Sequence, residues 1–297
     1  MNRIALSDTL TVSRLAYGMW RLADDRDTSP ARVQAKIEAC LENDITTLDQ
    51  ADIYGDYGAE ELLGAAFKAN PKLRDSVEIV TKCGIIAPVG RYGDKPVKYY
   101  DTSLNHIEHS VNTSLSLMGI EQIDLLLIHR PDPMMDHAET GNALDKMIAT
   151  GKVKAVGVSN FKPHDWTLLQ SAMTSRLVTN QIELSVMAID GFTNGDVAHL
   201  QKLGVPPMAW SPLGGGGLFG DPEPAVAAVL NRIARDLDTD PATLAYAWLL
   251  AHPANIIPVA GTNSIDRIRA LGDVASISLD RETWYEIYTA ALGTEVP

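Results

Sequence analysis

A chain of 297 residues, 45% hydrophobic and 21% charged, carries enough apolar material for one large core or two ordinary ones. Its formal charge of -13 lacks the basic footprint that nucleic acid needs, and no segment approaches the ~18 unbroken apolar residues of a membrane span. Two cysteines, Cys40 and Cys83, supply neither a disulfide framework nor a Cys/His metal spacing, which suits a reducing cytoplasm. The N-terminal segment MNRIALSDTLTVSR has no apolar h-region, so no secretory signal is expected.

Short β-branched runs alternate with longer amphipathic ones. In chain order, LAYGMW, ITTLDQA, VEIVTKC and IDLLLIH read as strands, followed by helical patterns over 30–43, 59–69, 103–118 and 138–150. VKAVGVSN, VTNQIELS, PPMAWS and NIIPVAG follow, paired with helical patterns over 164–173, 194–203, 241–251 and 264–271. TSPARVQ, TDPATLA and NSIDRI each set a capping Ser, Thr, Asp or Asn before the periodic run, and Gly151 suits a helix end. Eight strand–helix units with almost continuously apolar strands predict an α/β fold with a parallel sheet covered on its outside, closed as a (β/α)8 TIM barrel. A doubly wound open sheet is the competing fold. No linker or low-complexity run divides the chain, so residues 1–297 are expected to form one domain, and a barrel of this size is able to stand alone as a monomer.

In a barrel the chemistry gathers at the carboxyl ends of the strands. The first run ends in Met19, Trp20 and Arg21, the second in Asp49 and then Tyr54, the third at Lys82, and the fourth at His129. The fifth ends in Ser159 and Asn160, the sixth carries Gln181, the seventh ends in Trp210 and Ser211, and the eighth in Gly261 and Thr262. Singly, each has an ordinary explanation: Lys82 as a solvated strand end, His129 as a core imidazole, Asp49 as a turn cap, Tyr54 as a loop anchor. Jointly they bring an acid, a lysine, a phenol and an imidazole to three adjacent strands.

A phenol with a pKa near ~10 is a weak acid at neutral pH, and a neighbouring ammonium lowers that value. Asp49 supplies the counter-ion that Lys82 needs in a desolvated mouth. His129 can donate a hydrogen bond to an oxygen that is gaining charge. The set suits protonation of a carbonyl oxygen while hydride reaches its carbon.

At these residues the chain resembles the aldo-keto reductase superfamily, and within it a bacterial YdhF-like branch of oxidoreductases. The segments YGMWRL, LDQADIYG, IVTKCG, DLLLIHRPD, GKVKAVGVSNF, NQIELS, MAWSPLGGGGLF and IPVAGTNSIDRIRAL carry the likeness in family order. The resemblance implies a barrel whose bottom is closed by a short hairpin, here RIALSDTLTVSRL, and NADPH as cofactor. It implies that Tyr54 is the general acid/base, tuned by Lys82 and Asp49, with His129 orienting a small carbonyl substrate near Trp20. Gly18 and Met19 would border the nicotinamide, whose carboxamide would meet Ser159, Asn160 and Gln181, while Trp210 stacks on the ring. Ser211, Pro212, Leu213, Gly217 and Leu218 would follow the pyrophosphate. Gly261, Thr262, Asn263 and Arg267 would surround the adenosine 2′-phosphate. Gly261 stands where well-studied members use lysine, which leaves Arg267 as the main charged contact there.

GGGLFG, residues 215–220, matches G-x-G-x-x-G, but it lies late in the chain and DPEP is expected to interrupt it before any helix runs. It reads instead as a loop over the cofactor. His106 and His109 have helical spacing without a third metal ligand, so no metal is expected. Two other functions compete: a nicotinamide-binding sensor with little turnover, and a metal-dependent hydrolase built on His129 and Asp49.

Overall fold

Strand β1 (Ala16–Gly18) pairs in parallel with β2 (Thr47–Asp49), and the ladder continues through β3 (Glu78–Cys83), β4 (Ile123–Ile128) and β5 (Val153–Ser159). It runs on through β6 (Leu177–Glu183), β7 (Met208–Trp210) and β8 (Ile257–Ala260), and β8 pairs back with β1. The computed structural model, which describes residues 3–220 and 222–297, is thus a closed eight-stranded (β/α)8 barrel. The β8–β1 pairing excludes the doubly wound alternative.

Side chains alternate between the two faces of a strand, and in this barrel both faces are buried. Leu125 and Leu127 of β4 join Val80, Ala155, Met208, Ile257 and Val259 inside the barrel. Their neighbours Leu126 and Ile128 pack outward with Val156, Val158 and the helices. That double burial is why the strands read as unbroken apolar runs. An antiparallel hairpin, Arg3–Ala5 with Thr11–Ser13, sends Leu10 and Val12 into the inner cluster and so plugs the amino-terminal end.

The outer layer comprises α1 (Pro30–Leu41), α2 (Ala59–Ala69), α3 (Leu104–Met118), α4 (His137–Ala149), α5 (Pro163–Gln170) and α6 (Asp196–Leu203). It continues with α7 (Pro224–Asp236), α8 (Pro241–Leu250), α9 (Ile265–Ala270) and α10 (Arg281–Leu292). The Ser29 and Ser103 hydroxyls and the Asp136 and Asp240 carboxylates accept from backbone N–H groups in the first turns of α1, α3, α4 and α8. Two helices lie outside the predicted set. The DPEP segment does not keep a helix from forming, because Pro224 occupies the first position of α7, where its missing N–H costs nothing. Val226, Leu230, Ile233 and Ala234 then give α7 an apolar stripe, which meets Ile287 and Tyr288 of α10.

Candidate active site

The carboxyl end of β2 delivers Asp49, and the next turn delivers Tyr54. Behind Tyr54 the backbone turns left-handed at Gly55 (φ 58°), Asp56 (φ 52°) and Tyr57 (φ 70°), a costly run for the two residues with a Cβ. The loop after β3 holds it in place. The Tyr57 hydroxyl donates to the Ile85 carbonyl at 3.0 Å and accepts from the Ala87 N–H at 2.9 Å.

Lys82 reaches into the mouth from β3. Its Nζ lies 2.9 Å and 2.8 Å from the two Asp49 oxygens, 2.9 Å from the Gln50 carbonyl and 3.1 Å from the Tyr54 hydroxyl. Lys82 and Asp49 are both buried, so each offsets much of the other's desolvation. Burial alone pulls the ammonium's pKa down, but Asp49 and Tyr54 outweigh it and hold the value above the ordinary lysine range. For Tyr54 the balance runs the other way from the sequence-based expectation. Burial raises the phenol's pKa, Lys82 opposes that rise without overcoming it, and Asp49 adds to it. The phenol therefore keeps its proton throughout the neutral range.

His129 follows β4, and its ring meets the Tyr54 ring edge-on at 6.1 Å between centroids. Burial, followed by the charges of Lys82, Arg130 and Lys98, holds its pKa well below the usual imidazole value. Its Nδ1 is buried and has no hydrogen-bond partner among the described residues. A neutral imidazole beside a protonated phenol is equipped to grip one oxygen atom of a small molecule.

Ser159, Asn160 and Gln181 meet where β5 and β6 end, since Ser159 is in register with Gln181. Gln181 has a role the sequence does not announce: its side-chain amide donates to Asp49 Oδ1 at 2.7 Å. The Ser159 hydroxyl donates to the Gln181 carbonyl at 2.8 Å. Asn160 is left-handed at φ 62°, donates to Ser159 Oγ at 2.8 Å, and accepts from Trp210 Nε1 at 2.9 Å. That last bond orients the indole, and the Arg130 guanidinium lies 5.7 Å from its ring centre. Ser211, next along, is also left-handed at φ 49°. Strained residues at the ends of β5 and β7, on either side of β6, mark a place where geometry is kept against its local cost.

Beyond Trp210 the chain passes into a glycine run after β7, and the neighbouring strand β8 ends at Ala260. Gly214, Gly215 and Gly216 all have positive φ, and a Cβ on Gly216 would meet nothing within 4 Å, so backbone there is open to a ligand. Pro212 and Leu218 are buried and Leu213 packs on the core, so these side chains face the protein interior. Gly261 and Arg267 are exposed after β8, and Arg267 makes no ion pair among the described residues. Thr262 and Asn263 are part-buried, and the carbonyl of Thr262 accepts from the Tyr17 hydroxyl at 2.8 Å. At the end of β1 Gly18 leaves room only for hydrogen, since a Cβ would sit 2.8 Å from Val259 Cγ1. Met19 is buried and Trp20 is exposed on the rim. The left-handed glycine run after β7 and the exposed guanidinium of Arg267 after β8 have the chemistry that suits an extended anionic dinucleotide.

Asp52 does not join the cluster. Its carboxyl is buried without a hydrogen-bond partner among the described residues, and burial pushes its pKa well up. Met134 of the PDPMM stretch is exposed, whereas Met135 packs on the core. Among the described residues no three His, Cys, Asp or Glu side chains are grouped so as to hold a metal ion, and no helix is long and apolar enough to cross a membrane.

The chain is similar to known proteins over nearly its whole length. The Aldo/keto reductase family model matches residues 14–291. A 6-dehydroglucose reductase of Agrobacterium fabrum is 61% identical over the full length of both chains. The oxidoreductase YdhF of Escherichia coli is 40% identical, across 96% of this chain and 95% of its own. The crystal structure of the thermostable aldo-keto reductase Tm1743 in complex with the inhibitor epalrestat shares the fold, with a TM-score of 0.83 at 23% identity, covering 98% of this chain and 100% of that one. The chain belongs to the aldo/keto reductase family and is an oxidoreductase by that membership.

Proposed function

We propose that this protein reduces a small aldehyde or ketone to an alcohol, with NADPH as the reductant and Tyr54 as the proton donor. The observation that carries the reading is Lys82, which bridges Asp49 and the Tyr54 hydroxyl beneath the edge of His129. A nicotinamide dinucleotide lying in a groove along the ends of β7 and β8 would supply the hydride. Trp210, held by Asn160, offers a flat face at the mouth, and the glycine run offers backbone along the middle.

The substrate's carbonyl oxygen sits between the Tyr54 O–H and the His129 ring. As that oxygen gains charge, Tyr54 gives up its proton, and the nearby ammonium of Lys82 stabilises the phenolate left behind. Asp49 keeps Lys82 charged, and Gln181 keeps Asp49 in place. The substrate class we favour is a polyhydroxy aldehyde of the kind named for the Agrobacterium relative. The 61% identity supports it. Two free, buried thiols support a cytoplasmic location.

Titration with NADPH and NADH, followed through quenching of Trp210 fluorescence, tests the cofactor assignment. Arg267→Ala is expected to weaken NADPH by about tenfold or more and to leave NADH unchanged, because only NADPH carries the second phosphate. Failure of the wild type to bind either nucleotide overturns the reading.

A further inference from the structure

The reaction has no use for a second buried lysine, yet the fold contains one. Lys36 of α1 is fully buried, with its Nζ 2.6 Å from Asp25 Oδ2 and 2.8 Å from Asn263 Oδ1. Arg32 joins the same group: its Nε is 3.2 Å from Asp25, and its Nη2 donates to the Asn263 carbonyl at 2.9 Å. The Asn263 amide then donates to the Arg21 carbonyl at 2.6 Å. Arg21 in turn sends its guanidinium to the Gly215 carbonyl at 2.7 Å.

Both functional atoms of the Asn263 side chain are therefore engaged within the protein, on Lys36 at one end and Arg21 at the other. The chain of contacts links three segments remote in sequence: the loop after β1, the loop after β8 and the glycine run that roofs the groove. Arg21 alone would make a poor tie. It is exposed, and its long side chain gives up rotamer freedom when fixed. A backbone already held by Asn263 lowers the part of that cost that comes from the main chain.

We infer that Asn263 is a positioning residue for a strap across the dinucleotide groove: anchored on the buried Lys36–Asp25 pair, it sets the Arg21 backbone so that Arg21 closes onto Gly215. This rests on reading the groove as a nicotinamide-dinucleotide site. It replaces a direct role for Asn263 on the 2′-phosphate.

The test compares wild type, Asn263→Ala and Arg21→Ala in two measurements. The first is deuterium uptake of residues 213–219 in the cofactor-free protein, and the second is the stopped-flow release rate of NADPH. Both variants are expected to take up deuterium faster across 213–219 and to release NADPH about tenfold faster, the order of one lost hydrogen bond to a charged group. The ratio of NADPH to NADH affinity is expected to stay at the wild-type value. Wild-type uptake in Asn263→Ala overturns the proposal, and so does a selective loss of NADPH affinity, which would mean direct phosphate contact. If Asn263→Ala does not fold, Asn263→Asp keeps an acceptor for Lys36 and loses the donor to Arg21, and its uptake across 213–219 decides in the same way. Uptake is read without nucleotide, so it judges the strap even if the dinucleotide reading itself fails.

Discussion

Gln181 stands 132 residues along the chain from Asp49 and donates its side-chain amide to that carboxylate at 2.7 Å. Asp49 is thereby held from both sides, by Lys82 and by Gln181, within the buried floor of the mouth. Replacing Gln181 with leucine removes a donor from a buried carboxylate while leaving the ion pair intact. The expected cost is about 1–3 kcal/mol in stability, together with a lower kcat as Asp49 and Lys82 gain freedom. Urea unfolding and steady-state rates of Gln181→Leu check both, and an unchanged kcat would remove Gln181 from the catalytic floor.

The buried histidines make a contribution to stability whose pH dependence has a definite sign. Burial, aided by neighbouring cations, keeps His129 from charging until well below the ordinary imidazole value, and burial lowers His106 and His252 in the same sense. The unfolded chain takes up these protons near pH ~6.5. At these three sites unfolding therefore binds protons below that value, and their contribution to stability falls as pH drops through it, while the raised carboxyl of Asp52 contributes in the opposite sense. With denaturant midpoints taken at about pH 8 and about pH 5, His129→Asn should gain stability at the lower pH relative to the higher, compared with wild type, by that residue's share. An identical pH dependence in the variant would contradict the burial argument.

At the other end of the scale, burial holds the Tyr54 proton above the ordinary phenol value. Reduction needs the protonated phenol, so its kcat/KM should stay flat through neutral pH and fall only above about pH 10. A fall centred near neutrality would mean that Lys82 wins over burial, as the chemistry of the residues taken alone suggests.

Gly64 tests the packing of the outer layer. A helical Gly→Ala change ordinarily gains about 1 kcal/mol. Here the new Cβ would lie 2.0 Å from the Leu117 carbonyl oxygen and 2.9 Å from Met118 Cα, both backbone atoms that cannot step aside cheaply. Steric cost should win, and Gly64→Ala should destabilise by roughly 1–3 kcal/mol, read as a lower urea midpoint. A stabilised variant would mean that α2 and α3 lie further apart than described.

The fold is largely readable from the chain because the physics of a closed parallel barrel is written locally. Leu125 to Ile128 must be apolar on both faces, and the residue ending each run must be polar. The eight strands accordingly fall where the runs predict them, though β1, β2 and β7 are shorter than their runs because ladder pairing stops before the apolar pattern does. Helix α7 was obscured by the Gly- and Pro-rich segment before it, although its own stripe of Val226, Leu230 and Ile233 is regular. Lys82, Asp49 and Tyr54 come together as their positions at the strand ends imply. What the chain conceals is long-range hydrogen bonding. Nothing near Gln181 points to Asp49, nothing near Asn263 points to Lys36 and Arg21, and the balance between burial and charge at Tyr54 needs the three-dimensional surroundings.

The central claim is that Tyr54 supplies the proton in a nicotinamide-dependent carbonyl reduction. The most direct measurement is the rate of NADPH oxidation by wild type and Tyr54→Phe with a reactive aldehyde, with NADPH affinity measured on the same samples. The phenylalanine ring keeps the packing against His129 and loses only the hydroxyl that faces Lys82. The predicted result is a loss of about 10²–10⁴ in kcat with NADPH affinity close to wild type. Turnover in Tyr54→Phe equal to that of the wild type would contradict the account.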